Sequence, residues 1–250
     1  MRSVSSEELL RFSEARRRVL GEEHETVGVG GLSEKSMHKI LKLYVEPREE
    51  FHEVQYLGSV ADVKNENGIF EIQTRSVEKL APRLRKYLPG TPVTIVMPLI
   101  VNKRVSFLNC ETGEMSEGRK SPKHETVYNA LREIYKIRKL ISDGNLTFRL
   151  IYMNADEYKY LDGWDRTRKK GATRIEKIPS SLLGEDVFRY SDLKNFVPYS
   201  YEEEFTAKEF CKRAAVPKRI SSYVIGLLSY VGAIEFVSKR GREYVYRKAL

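Results

Sequence analysis

The chain has 250 residues, 41% of them hydrophobic and 32% charged, which allows one large domain or two ordinary ones around a genuine apolar core; two is the expectation. Its net charge of +9 points to anionic partners, nucleic acid ahead of a membrane surface. Only Cys110 and Cys211 are present, and no run nears the roughly 18 apolar residues of a membrane span, so neither a disulfide framework nor a cysteine zinc site nor a membrane protein is indicated, and a soluble cytoplasmic protein is expected.

Residues 6–20 read as a short polar helix, Ser-initiated, with Glu in its first turn and Gly21 as its stop. "GEEHETVGVGG" reads as a tether, so residues 1–30 form an N-terminal helix and tether. Met37, Ile40, Leu41, Tyr44 and Val45 recur at helical spacing and predict an amphipathic helix that Ser33 caps and Pro47 ends, with Glu34, His38 and Lys42 on its other face. Three strand-like runs follow at roughly 51–57, 59–64 and 69–74, separated by Gly58 and the hairpin-forming "NENG". "SVEKLAPRLRKYL" predicts a helix that begins late or kinks at Pro82, and "TPVTIVMPLIV" a buried strand.

"KRVSFLNCETGEMSEGRKSP" predicts a hairpin about Glu-Thr-Gly, "ETVYNALREIYKIRKLI" a helix, and "LTFRLIYMN" a strand. "WDRTRKKGATRIEK", with six Lys or Arg against two acids, predicts an exposed basic loop. Its Arg166, Arg168, Lys169, Lys170 and Arg174 either face solvent only or contact nucleic acid, and the second reading needs the loop on the same side as the acidic site described below. "NFVPYSYEEE" marks a boundary, giving a domain over 31–195, a linker over 196–204 and a C-terminal domain over 205–250.

The last segment reads helix, turn, helix, hairpin. Thr206 and Glu209 form a capping box, Pro217 opens the second helix, and Ile220, Val224, Leu227 and Val231 give its buried stripe before Gly232. This order resembles a winged helix-turn-helix domain. Residues 205–250 hold ten Lys or Arg against three acids, so most of the net charge is concentrated here. Lys218 and Arg219, with Ser221 and Ser222, are placed to meet a groove, and Lys239, Arg240 and Arg242 crown the hairpin turn where phosphates would be contacted. The same pattern also serves dimerisation or protein binding, and beyond Arg219 few side chains suit base edges.

"GSVADVKNENGIFEIQTR" carries Asp62 and Glu71 at positions equidistant from a hairpin turn, which brings them side by side. Two readings stand at this point. In one, the hairpin merely exposes charge; in the other, both carboxylates hold a hard divalent cation, Mg²⁺ or Mn²⁺, aided by the Ile72 carbonyl and a substrate phosphate. The apolar residues Val63, Ile69, Phe70 and Ile72 imply cover on both faces, which makes an unpaired carboxylate costly and favours the second.

The order helix, three strands, helix, strand around Asp62 and Glu71-Ile72-Gln73 resembles the PD-(D/E)xK nuclease superfamily over residues 31–100. The resemblance implies an α/β fold, a restriction endonuclease-like mixed sheet flanked by helices, here with a small C-terminal winged-helix domain. It also implies catalytic roles for Asp62, Glu71 and Gln73, with Glu34 as a first-helix acid and Asp62 and Glu71 as metal ligands. Gln73 stands where the family has lysine; glutamine hydrogen-bonds water but supplies no cation. His38 and His52 are either assistants or surface histidines. The whole chain also resembles bacterial proteins that pair these two domains. A metal-dependent nuclease, or a nuclease-derived DNA-binding protein, is therefore expected, acting on a nucleic-acid backbone, DNA before RNA, without a membrane partner and with the oligomeric state open, a dimer included. The rivals are a non-enzymatic DNA-binding regulator and a protein-interaction adaptor.

Overall fold

Nineteen residues at the start wind into α1 (Ser6–His24), opened by a box in which Ser5 Oγ accepts the Glu8 N–H at 3.2 Å and Glu8 Oε2 accepts the Ser5 N–H at 2.7 Å. The helix runs through Gly21 instead of stopping there, a correction consistent with the modest ~1 kcal/mol cost of glycine inside a helix. The computed structural model describes residues 1–24, 35–162 and 172–250; Glu34 and the expected cap Ser33 lie outside them, as do Arg166, Arg168, Lys169 and Lys170. Phe12, Ala15 and Val19 of α1 pack on Met37, Ile40, Leu41 and Tyr44 of α2 (Lys35–Val45), and together these cover one face of the sheet.

The sheet starts with a meander, β1 (His52–Tyr56), β2 (Ser59–Asn65) and β3 (Gly68–Ile72), all antiparallel. The β1–β2 turn is the pair Leu57–Gly58, both at positive φ (48° and 70°), the combination that matches hairpin twist. Gly68, at φ 118°, is required on packing grounds as well, since a Cβ there would stand 2.4 Å from the Pro92 carbonyl oxygen. A 3₁₀ turn over Val77–Leu80 leads into α3 (Ala81–Tyr87), with Pro82 in its first turn, so the late start expected around that proline is found. Parallel to β3 runs β4 (Val93–Leu108), bordered beyond β3 by the short β5 (Arg119–Lys120); α4 (Val127–Tyr135) then crosses to β6 (Leu146–Tyr160), again parallel, and β7 (Arg174–Phe188) returns antiparallel at the edge. The order is β1-β2-β3-β4-β6-β7, a mixed α/β sheet flanked by helices.

Three expectations need correction. α4 stops at Tyr135, well short of residue 141, and the chain continues in tighter turns with Ile137 N bonded to Ile134 O and Leu140 N to Ile137 O; Ile137 and Ile141 stay buried all the same. β7 was hidden by Pro179 and Gly184, which an edge strand tolerates because one ladder side needs no donors. Arg174 accordingly lies in a strand, paired with Glu157 at 2.7 Å, and is no part of a loop.

The C-terminal segment comprises β8 (Glu204–Thr206), α5 (Ala207–Arg213), α6 (Lys218–Tyr230), β9 (Ile234–Arg240) and β10 (Glu243–Lys248), with a small sheet in the order β8-β10-β9. Thr206 and Glu209 form the expected capping box. Residues 196–204 are no free tether: Val197 and Tyr199 are buried, and Tyr199 stacks on Phe205 with ring centroids 4.0 Å apart. One apolar cluster runs from Leu84, Ile95 and Phe148 through α4 into Phe210, Ile220 and Val224. Among the described residues, no helix is long and apolar enough to cross a membrane.

Candidate functional site

β2 leaves β3 after the Val63–Phe70 pair, and the gap is closed by a side chain: Asp62 Oδ2 accepts the Ile72 N–H at 2.8 Å. Asp62 thereby takes the place of a ladder carbonyl at the seam between two strands. The same oxygen lies 3.2 Å from Nε2 of the half-buried His38 of α2. Burial pushes the Asp62 carboxyl up, but the bonds from His38 and Ile72 outweigh it and hold the group below the usual range.

Glu71 occupies the neighbouring strand and is completely buried. Phe70 and Ile72 pack toward α1 and α2, so Glu71, between them, points to the α3 side. There Arg83 Nη2 stands 2.9 Å from Glu71 Oε2, but without hydrogen-bond alignment, and neither Glu71 oxygen has a hydrogen-bond partner. Burial and the adjacent Asp62 charge, only partly offset by Arg83, push the Glu71 carboxyl up to about 8. Gln73 follows β3 with its N–H on the Val96 carbonyl at 2.8 Å and its side chain half-buried, so Asp62, Glu71 and Gln73 do come together at one end of the β2–β3 pair.

Three residues of this neighbourhood escaped the sequence reading. Glu53 lies opposite Asp62 in the β1–β2 register, at φ 53°, and accepts a 2.7 Å bond from the buried Lys42. That bond holds its carboxyl low. The signal was available, because Glu53 and Asp62 are equidistant from Leu57–Gly58 just as Asp62 and Glu71 are from the next turn. Arg83 and Tyr87 reach the site from α3; the Tyr87 hydroxyl is buried without a partner, and burial with the nearby Glu71 charge raises it. Three acids in a row thus face three basic groups: Glu53 with Lys42, Asp62 with His38, Glu71 with Arg83. His52 is structural, its Nε2 on the Glu46 carbonyl at 2.7 Å.

The paired carboxylates fit a hard cation as far as Asp62 and Glu71 go: two hard oxygen donors, one set orphaned and buried. Among the described residues, no group of three or more His, Cys, Asp or Glu side chains converges to hold an ion, so solvent or a bound phosphate would have to complete the coordination.

The basic residues of the C-terminal segment are placed unequally. Lys218 and Arg219 are exposed in the first turn of α6. Farther along that helix, Tyr223 meets Tyr135 of α4 edge to face, and Gly226 packs so tightly that a Cβ would lie 2.9 Å from the Tyr135 ring. The middle of α6 is therefore seated on α4. Arg242 stands at the exposed β9–β10 turn, Lys239 lies over Tyr244, and Arg240 is tied to Glu209 at 3.0 Å.

Residues 35–189 match a family model described as "Domain of unknown function (DUF8091)". The chain is 29% identical over 217 residues to a protein of Treponema pallidum (strain Nichols) described as "Uncharacterized protein", covering 86% of this chain and 85% of that one. No solved structure matches it.

Proposed function

We propose that this chain, which belongs to the DUF8091 family, is a metal-dependent phosphodiesterase of the PD-(D/E)xK type that acts on a nucleic-acid backbone, with a winged-helix module as its C-terminal part. The observation that carries the reading is the buried, unbonded Glu71 carboxylate beside Asp62, a cost that a cation would remove. A bound Mg²⁺ or Mn²⁺ would supply charge to the developing phosphorane and a more acidic water. The chain's own part is positional. The Ile72 N–H and His38 fix Asp62, Glu71 is aimed by β3, and Gln73 offers an amide that can hydrogen-bond water without changing its charge. Arg83 brings a positive charge to the place where a phosphate would otherwise meet two acids.

A second reading, a nuclease-derived scaffold that binds DNA without cutting it, is favoured by the same Arg83, since a guanidinium 2.9 Å from Glu71 can stand in for a metal. Calorimetric titration with Mn²⁺, paired with cleavage assays on linear, branched and single-stranded DNA and RNA, separates the two. The enzyme reading expects Mn²⁺ binding and cleavage, both lost in Asp62→Asn and Glu71→Gln with folding retained. No Mn²⁺ binding and no cleavage by the wild type would leave the scaffold standing.

A further inference from the structure

Past the Asp62–Glu71 seam, β4 and β6 overrun β3 and shape, with β5 and β7, a cavity of about 460 Å³. Polar side chains form much of its lining: Asn102, Lys103 and Arg104 from β4, Lys120 from β5, Asn154 and Asp156 from β6, and Ser180 from β7. The extra residues at the local register shifts, Val101, Ser180 and Leu183, belong to β4 and β7, so β6 keeps strict alternation. Phe148, Leu150 and Tyr152 pack into the α3–α4 side, and Asn154 and Asp156 continue the same series. The cavity thus opens on the sheet face toward which Glu71 points.

Two of its three cations are uncommitted. Arg104 donates to the Gly118 carbonyl at 3.3 Å, and among the described residues neither Arg104 nor Lys120 has a carboxylate within ion-pair distance, although Asp156 is the register neighbour of Arg104. The third cation of the lining, Lys103, behaves differently, for it closes with Arg174 on the buried Glu157, at 2.5 and 2.7 Å. The floor is held by a chain of bonds, Asn102 Nδ2 to Asn154 Oδ1 at 3.0 Å and Asn154 Nδ2 to Ser181 Oγ at 2.8 Å. That leaves the second amide proton of Asn102 and the Ser180 hydroxyl as neutral donors beside two free positive charges.

We infer that this cavity binds the phosphate group of a nucleotide-sized ligand, with Arg104 and Lys120 supplying charge and Asn102 and Ser180 orienting donors. The phosphate belongs either to a free nucleotide or to the backbone of a strand. Asn102 lies seven residues beyond Ile95, the partner of Glu71, or ~23 Å at ~3.3 Å per residue, so only a strand reaches both places. The inference does not rest on metal chemistry at Asp62 and Glu71.

The test uses the full chain in EDTA, with adenosine 5′-monophosphate followed by calorimetry and a fluorescein-labelled oligothymidine followed by anisotropy. Arg104→Ala with Lys120→Ala is expected to weaken binding about tenfold or more, as loss of two charge-assisted contacts implies. Lys208→Ala with Lys212→Ala, which removes equal charge from α5, is expected to leave it within about twofold. Should the alanine pair fail to fold, Arg104→Gln with Lys120→Gln removes the same charges with less loss of bulk. Binding of both probes assigns a free phosphate ligand, and binding of the oligonucleotide alone assigns a strand. No binding of either probe, or equal losses in the two pairs of variants, overturns the inference.

Discussion

Arg83 holds two strands at once: its Nη1 donates to the Val60 carbonyl of β2 at 2.8 Å while its Nη2 faces Glu71 of β3 at 2.9 Å. Arg83→Met keeps the apolar stem and removes the charge. The loss is expected on the order of 1–3 kcal/mol at pH 9, where Glu71 is largely ionised, and smaller at pH 5, where it is protonated. Urea unfolding at the two pH values measures the difference, and equal losses would show that Arg83 acts through Val60 alone.

Glu71 gives the fold a pH dependence of unusual sign for an acid. Its carboxyl rises from an ordinary 4.5 to about 8, so between those values the folded chain binds more protons than the unfolded one. Stability from this group is complete below pH 4.5 and is lost as pH climbs through about 8, with a slope of at most ~1.4 kcal/mol per pH unit. Asp62 works in the opposite direction, losing its contribution as pH falls through its lowered range. Glu71→Gln should therefore match wild type near pH 5, exceed it near pH 8 in metal-free buffer, and flatten the pH profile between. A wild-type profile already flat from pH 5 to 8 would contradict the placement of this carboxyl.

Gln73→Lys introduces a second positive charge beside Arg83 and next to Glu71. Under the enzyme reading, cleavage rises or extends to further divalent ions. Under the scaffold reading no cleavage appears, but the new ammonium partly neutralises Glu71 and lowers its carboxyl. Cleavage rates and a pH-dependent unfolding series on the same variant distinguish the outcomes.

The β9–β10 turn should bind duplex DNA through phosphates, so affinity falls steeply with salt, and the triple change of Lys239, Arg240 and Arg242 to Ala reduces the salt slope by roughly one per lost phosphate contact. Arg240 is engaged with Glu209, a surface pair worth about 0–1 kcal/mol, and can be redirected to a phosphate at little cost. A slope unchanged in the triple variant would remove this turn from the interface.

The meander was legible because hairpin turns announce themselves: Gly58 and "NENG" set the registers that bring Asp62 beside Glu71. The apolar run of β4 and the helical stripe of α2 were equally plain. Arg83 was not, since a helix arginine looks like any surface cation until the crossover lays α3 over β3. β7 was missed because proline and glycine inside a strand imitate a loop when its edge position is unknown. The seat of α6 on α4 was invisible for a related reason, as the Tyr223–Gly226 face reads as free surface until Tyr135 is placed against it.

The continuous core from β4 through α4 to α6 makes thermodynamic linkage between the two basic regions and the acidic seam a property of the whole chain. Phe210, Ile220 and Val224 share neighbours with Leu131 and Ile134, so the last forty-odd residues, cut free, would turn part of that shared surface to water. A single cooperative melting transition is the natural behaviour of such a molecule. A ligand gripping the β9–β10 turn would then raise the melting temperature sensed at Glu71, and an ion seated between Asp62 and Glu71 would protect α6 from proteolysis, with no contact between the two ligands.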